Sequence, residues 1–161
     1  MASMTAAKVQ AGQSILEGYV RKPSVGLAEL IWNAFDEDAT TVTIACDYND
    51  LGGLEEIVVS DNGNGMNLER AERAFSRVGD SWKLVSGTQS PAGRPVHGRH
   101  GRGRFAAFSL GNLVQWVSTA EQVQGGFATV HIDGRRTSLD SFDINAGPAE
   151  SEETGTTVTI T

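Results

Sequence analysis

Apolar residues along this chain follow two spacings, one typical of helices and one typical of strands. Spacing of three and four residues predicts helices over residues 5–21, 25–37, 67–77 and 103–110. Alternation of apolar and polar residues predicts strands over residues 40–47, 54–60, 113–118, 127–132, 137–142 and 156–161. Because helices dominate the first half and strands the second, the pattern favours an α+β fold, a two-layer α/β sandwich, over a regular βαβ alternation.

Composition narrows the class of protein. The chain has 161 residues, 39% of them hydrophobic, which suits one domain with a single core. No apolar run approaches the roughly 18 residues of a membrane span, and the N-terminus lacks the pattern of a secretory signal. We therefore expect a cytoplasmic protein with no membrane contact. A single cysteine, Cys46, cannot form an internal disulfide.

Charge is unevenly distributed along the chain. The formal net charge of −7 argues against a general nucleic-acid binder, because such domains usually carry a basic surplus that neutralises phosphates. Residues 81–120, however, contain basic side chains and several glycines but no Asp or Glu. A cationic, glycine-rich segment within an acidic protein suits a small polyanion such as phosphate.

The second predicted helix carries polar side chains on one face. At 100° per residue, Glu29, Asn33 and Asp36 fall within roughly 60° of one another. Carboxylate and carboxamide oxygens one turn apart can hold Mg²⁺ and orient a water, which phosphoryl chemistry requires. The alternative is an ordinary solvated face of an amphipathic helix.

A second candidate site is the turn at residues 60–66, which follows an apolar strand. Asp61, an acceptor when ionised, can receive the exocyclic amine of adenine. Gly63 and Gly65 would let the backbone approach the ring, and Met66 would pack on it. The alternative is a simple tight turn, since Asp-Asn-Gly is common in turns.

A third candidate opens the short helix predicted after the loop at residues 79–98. Backbone N–H groups of a glycine-rich segment can wrap phosphates. The spacing of the glycines in this candidate matches neither a Walker loop nor a Rossmann fingerprint. The alternative is a flexible basic linker that contacts nucleic acid. The candidate residues are Gly98, Arg99, Gly101, Arg102, Gly103, Arg104 and Phe105.

Taken in order, these motifs resemble the GHKL superfamily, the Bergerat-fold ATPases. The resemblance rests on residues 29–36, 61–66, 98–103 and 155–158, so it covers nearly the whole chain. Members include DNA gyrase B, the ninety-kilodalton heat-shock chaperones, the MutL proteins, the MORC ATPases and sensor histidine kinases. The resemblance implies a mostly antiparallel mixed sheet covered on one face by helices.

The resemblance also implies a role for each candidate residue. Glu29 would be the general base that activates the attacking water, and Asn33 would coordinate the Mg²⁺ that accompanies ATP. Asp36 would line the pocket. Asp61 would bind adenine, helped by the hydroxyl of Thr156.

For the loop at residues 79–98, the resemblance implies a mobile ATP lid. Lys83 would contact a phosphate or the ribose, and Gly98, Gly101 and Gly103 would wrap the phosphates. Arg102 and Arg104 stand where relatives often carry uncharged residues, so we expect this loop to hold phosphates by charge as well.

Within the superfamily, Glu29 favours hydrolysis, because kinases usually lack a matching acid. The sequence of residues 104–111 resembles that of the chaperone-like and MORC-like branches. The resemblance implies a homodimer formed by nucleotide-dependent closure and an unidentified protein partner or client. We expect a single ATP-binding domain, the N-terminal part of a longer protein, with weak turnover alone. Two alternatives stay open: a kinase-like or regulatory nucleotide module, and a nucleic-acid module that uses the arginine-rich loop.

Overall fold

A computed structural model describes residues 3–9, 12–18, 20, 22–76, 89–95 and 103–161. Its helices are α1 (Gln13–Glu17), α2 (Pro23–Asp36), α3 (Leu68–Ser76) and α4 (Gly103–Ala106), the last continued by a 3-10 turn, Ala107–Ser109. Its strands are β1 (Ser3–Lys8), β2 (Val42–Tyr48), β3 (Leu54–Asp61), β4 (Leu113–Glu121), β5 (Phe127–Arg135), β6 (Ser138–Pro148) and β7 (Gly155–Ile160).

The strands form one antiparallel sheet in the order β1-β6-β5-β4-β7-β3-β2. Side chains alternate across it, so that Val114 and Trp116 of β4 are buried while Gln115 between them is exposed. The buried face carries the helices, and the other face presents polar residues such as Gln115 and Glu121 of β4. This arrangement confirms the α+β, two-layer sandwich predicted from the sequence.

An aromatic cluster joins the helical layer to the sheet. The ring of Phe142 on β6 lies 5.0 Å from that of Phe75 on α3 and 6.1 Å from that of Trp116 on β4, between ring centroids. Phe105 and Phe108 complete the cluster, with centroids 6.2 and 6.3 Å from that of Phe142. The same core therefore anchors α3, α4 and the 3-10 turn, which border the candidate site.

Helix α2 starts at Pro23, whose fixed φ suits the first turn of a helix. Gly26 contacts α4 closely, since a Cβ there would lie 2.4 Å from the carbonyl oxygen of Ala106. This contact turns the buried side of α2 toward Gly26 and Leu30, and it leaves Phe35 36% exposed. Helical spacing predicts that Phe35 faces the sheet together with Leu30 and Ala34, and its exposure shows that this prediction is wrong for Phe35.

The N-terminal prediction was also wrong: residues 5–21 do not form one helix. Residues Ser3–Lys8 form β1, which pairs with β6 in register Ala7↔Phe142. The backbone is extended at Gly12, at φ −68° and ψ 146°, and only Gln13–Glu17 is helical. Pairing with the open edge of β6 decides the outcome, because alanine-rich segments have no strong preference for strands.

No helix within the described part of the chain is long and apolar enough to cross a membrane.

Candidate functional site

Two of the predicted polar side chains of α2 converge on the start of α4. A Cβ built on Gly103 would lie 3.1 Å from Glu29 Oε2 and 3.1 Å from Asn33 Nδ2. Both side chains are half-buried. Any larger residue at position 103 would press on these groups, so glycine allows the backbone of α4 to approach a carboxylate and a carboxamide that lie side by side.

The third polar residue of this face, Asp36, lies in a different environment. Its side chain is only 1% exposed, at the last turn of α2, whereas Glu29 and Asn33 are half-buried. Periodicity alone placed the three together, and it could not distinguish their burial. The role of Asp36 in lining a pocket stays a prediction.

The turn after β3 holds Asp61 in a network of backbone donors. Asp61 Oδ1 accepts the N–H of Gly63 at 2.8 Å and the N–H of Thr156 at 3.3 Å. Within the described residues, Oδ2 has no hydrogen-bond partner. Burial raises the pKa of Asp61, and the two N–H donors oppose that rise in part. The site therefore offers a partly desolvated carboxylate with one oxygen occupied and one available.

Strand register brings the two ends of this motif together. Asp61 of β3 pairs with Thr156 of β7, and Thr156 pairs in turn with Ser118 of β4. Directly paired residues share a face of the sheet. Asp61 and Thr156, which the sequence separates by 95 positions, thus lie side by side. Their roles in binding adenine stay predictions.

Ser118 is a residue of this site that sequence reasoning missed. Its Oγ accepts the N–H of Met66 at 2.8 Å and lies 2.8 Å from Thr156 Oγ1. The available signal was its position, since Ser118 is polar where the alternation of β4 calls for an apolar, inward-facing residue between Trp116 and Ala120.

The two glycines of the turn are required by packing. Gly65 has φ +66°, and a Cβ there would lie 2.0 Å from the carbonyl oxygen of Thr119. A Cβ on Gly63 would lie 2.7 Å from the carbonyl oxygen of Glu37. The turn is thus pressed between β4 and the end of α2. Approach of its backbone to a ligand ring stays a prediction.

Arg104 and Phe105 are buried. Phe105 is 0% exposed, so its side chain belongs to the core and only its backbone can face a ligand. The Arg104 side chain is 8% exposed, and its Cζ lies 4.4 Å from the centroid of the Phe105 ring and 5.6 Å from that of Phe75. Burial lowers the pKa of Arg104 below its ordinary value. The guanidinium packs on these two aromatic rings. The phosphate contact by charge expected of Arg104 stays a prediction.

Part of the predicted mobile lid is tied to the end of α2. In the described segment 89–95, Ser90 Oγ donates to Asp38 Oδ1, and the N–H of Ala92 donates to Asp38 Oδ2 at 3.0 Å. Arg94 Nη1 donates to the carbonyl oxygen of Ala39 at 2.8 Å. Burial by itself would raise the pKa of Asp38. The hydrogen bonds from Ser90, Ala92 and Asn64, together with the charge of Arg94, outweigh this effect, so the net shift of the pKa is downward. These bonds tie segment 89–95 to the end of α2. The mobile ATP lid over residues 79–98 stays a prediction.

The remaining predicted site residues lie outside the described residues. They are Lys83, Gly98, Arg99, Gly101 and Arg102. Their roles stay predictions.

Comparison with known proteins shows what the chain is similar to. The family described as "Histidine kinase-, DNA gyrase B-, and HSP90-like ATPase" matches residues 21–155. The chain is 31% identical to the DNA mismatch repair protein MutL of Deinococcus radiodurans over 142 residues, 88% of this chain and 23% of that protein. It is 26% identical to MutL of Halobacterium salinarum over 157 residues, 98% of this chain and 21% of that protein.

A third relative is HgiDII of Herpetosiphon aurantiacus, named as a candidate type II restriction enzyme. It is 37% identical over 99 residues, 62% of this chain and 15% of that protein. The chain thus spans less than a quarter of the length of each of these relatives. The chaperone-like and MORC-like branches stay predictions.

Proposed function

The chain belongs to the family of histidine kinase-, DNA gyrase B- and HSP90-like ATPases, and we propose that it binds ATP with Mg²⁺ and hydrolyses it with water activated by Glu29. The observation that carries this proposal is the convergence of Glu29 and Asn33 on the backbone of Gly103. A carboxylate and a carboxamide beside the start of a helix that follows a glycine-rich stretch of sequence suit a triphosphate, its cation and an attacking water.

The adenine end of ATP would lie at the turn of Asp61. The exocyclic amine of adenine is a donor, and Asp61 Oδ2 is an acceptor with no hydrogen-bond partner within the described residues. Met66, half-buried beside the core, would pack on the ring, and Thr156 would contribute its hydroxyl. The raised pKa of Asp61 reflects a partly desolvated carboxylate, and such groups are common at ligand-binding sites.

The phosphate end would lie between α2 and α4. Asn33 supplies a carboxamide oxygen of the kind that Mg²⁺ accepts. No cluster of three or more His, Cys, Asp or Glu exists among the residues that the structure describes, so phosphate oxygens and water would supply most of the coordination. The cation, when bound, would neutralise charge on the transferring phosphoryl group.

Glu29 would act on water. Its carboxylate would accept a proton as the water oxygen bonds to the γ-phosphorus and the bond from that phosphorus to the β–γ bridging oxygen breaks. The products are ADP and inorganic phosphate. A kinase-like module would instead transfer the phosphoryl group to a side chain and would not need Glu29.

Lid closure and dimerisation are further parts of the proposal. We expect the loop that contains the described segment 89–95 to close over bound ATP and to couple nucleotide binding to contact with a second copy or a protein client. The names of the MutL and HgiDII relatives concern DNA repair and restriction, so nucleic acid is a partner to test for any longer protein that contains this domain.

The test is a Glu29→Gln substitution, which keeps the shape of the side chain and removes the base. Calorimetric titration with Mg-ATP should give a Kd within about twofold of the parent, while phosphate release falls by about 100-fold or more. Glu121→Gln, at an exposed position on β4, is the matched control and should change neither quantity.

Three results would contradict the proposal. A folded parent chain that does not bind Mg-ATP would remove it altogether. Unchanged phosphate release in Glu29→Gln would remove the role of Glu29. Transfer of phosphate to an added protein acceptor, unaffected by Glu29→Gln, would favour the kinase-like alternative.

A further inference from the structure

Ser118 occupies a position where a hydroxyl is costly unless it is satisfied. It is 0% exposed on the inward face of β4, between Trp116 and Ala120. A buried hydroxyl without hydrogen-bond partners destabilises a fold. The hydrogen bonds that Ser118 makes therefore indicate its role.

Ser118 Oγ has three neighbours and one proton. It accepts the N–H of Met66 at 2.8 Å. Thr156 Oγ1 lies at 2.8 Å, and the carbonyl oxygen of Gly155 lies at 3.5 Å, which is too long for a good hydrogen bond. Thr156 Oγ1 is the better-placed acceptor for the Ser118 proton, because the competing acceptor among the described residues, the carbonyl oxygen of Gly155, lies 0.7 Å farther away.

This arrangement decides what Thr156 can do. With one lone pair taken by Ser118, Thr156 keeps its own proton for another acceptor. Asp61 and Thr156 are directly paired in the sheet, and the backbone N–H of Thr156 donates to Asp61 Oδ1 at 3.3 Å, so the two residues are neighbours on one face. The site then presents an acceptor beside a donor.

Adenine has the complementary edge. Its exocyclic amine is a donor and the adjacent ring nitrogen is an acceptor. Guanine presents a carbonyl acceptor beside a ring N–H, which would set that carbonyl against the carboxylate of Asp61. A site built from one fixed donor and one fixed acceptor rejects the base with the reversed pattern.

We propose that Ser118 is a positioning residue that selects adenine over guanine by directing the hydroxyl proton of Thr156 toward the base. This inference rests on the proposed function, since it concerns the same nucleotide site. Ser118 does not contact the nucleotide and acts through Thr156. It also holds the N–H of Met66, a structural role that the experiment has to separate.

The experiment measures Kd for Mg-ATP and Mg-GTP by calorimetry, together with the melting temperature of each variant. Ser118→Ala should reduce the preference for ATP over GTP by about tenfold, the value of one hydrogen bond in a partly desolvated site. Thr129→Val is the matched control. It removes the Thr119–Thr129 hydroxyl pair, which joins β4 to β5 at 2.8 Å on the other face of the sheet, and it should leave the preference unchanged.

A double-mutant cycle tests whether the effect passes through Thr156. In a Thr156→Val background, Ser118→Ala should change the preference no further. Thr156→Ser, which keeps the hydroxyl, should retain the preference of the parent chain. If Ser118→Ala does not fold, the Thr156 variants still decide, because Thr156→Val must then lose the preference by about tenfold.

The outcomes separate this inference from the proposed function. Equal weakening of ATP and GTP binding in Ser118→Ala would show a structural role only and overturn the inference. A parent chain that binds both nucleotides equally would overturn it while leaving nucleotide binding intact. A folded parent chain that binds neither would remove the proposed function itself.

Discussion

Asp61→Asn separates the folding role of the turn from its binding role. Both backbone donors, the N–H groups of Gly63 and Thr156, end on Oδ1. An asparagine carbonyl oxygen can take that place and keep both bonds. The second oxygen becomes an NH₂ group, so the substitution converts the available acceptor into a donor with almost no change in shape.

The expected effect on stability follows from the direction of the Asp61 pKa. Because burial raises it, the folded state holds the carboxyl proton more tightly than the unfolded chain does. Between the ordinary pKa and the raised one, the contribution of this group to stability therefore falls as pH rises. Above the raised pKa the ionised carboxylate costs stability, so Asp61→Asn should melt there at the same temperature or higher. That advantage should shrink as the pH is lowered through the same window.

The expected effect on binding is opposite and large. A hydrogen bond to a charged acceptor contributes about 1.5–3 kcal/mol, and facing two donors against each other leaves a desolvated group that costs about 1–3 kcal/mol more. Together these terms give about 2.5–6 kcal/mol, and even the lower end corresponds to binding that is about 60-fold weaker. Calorimetric titration with Mg-ATP measures it directly.

Asp133→Asn is the control for this substitution. Asp133 lies on β5 and accepts a hydrogen bond from Gln115 at 2.7 Å, on the face of the sheet away from the helices. It should leave ATP binding unchanged. The reasoning is refuted if Asp61→Asn binds ATP with a Kd within about threefold of the parent. A threefold change is only about 0.7 kcal/mol, far below the loss expected from the hydrogen bond. A clear fall in its melting temperature above the pH range in which Asp61 titrates would also contradict it.

Three other predictions concern the frame around the site. Asp38→Asn should lower amide hydrogen-exchange protection in segment 89–95 by about tenfold, because it weakens the hydrogen bonds from Ser90 and Ala92. In the parent chain that protection should be lost as the pH falls through the lowered pKa of Asp38. Unchanged protection in the variant would mean that other contacts hold the segment. Phe142→Ala should cost about 3–5 kcal/mol in urea unfolding, because it empties the centre of the aromatic cluster, and a loss under 1 kcal/mol would count against that description. Gly65→Ala should lower the free energy of unfolding by about 2 kcal/mol or more, because its Cβ would lie 2.0 Å from a β4 carbonyl oxygen. Gly52→Ala, also at positive φ but in open space, should lower it by only about 1 kcal/mol. Equal losses in the two variants would refute the packing argument.

The sequence by itself determined the parts of this protein that depend on near neighbours in the chain. The four-residue spacing of Glu29 and Asn33 places them on one helix face wherever that helix lies. Alternation along β4 and β5 shows which face is buried. The order of the motifs was enough to identify the family, which the comparison then confirmed.

The tertiary structure decided what depends on partners far along the chain. Ser90 reaches Asp38 across 52 positions, and Met66 reaches Ser118 across 52 positions, so no local pattern announces either bond. The same holds for β1, which is a strand because β6 offers it an edge, and for Arg104, which lies on the Phe75 ring because α3 packs there. Local periodicity is a property of a few consecutive residues. Hydrogen bonds and ring contacts between distant residues form only when folding brings those parts of the chain together.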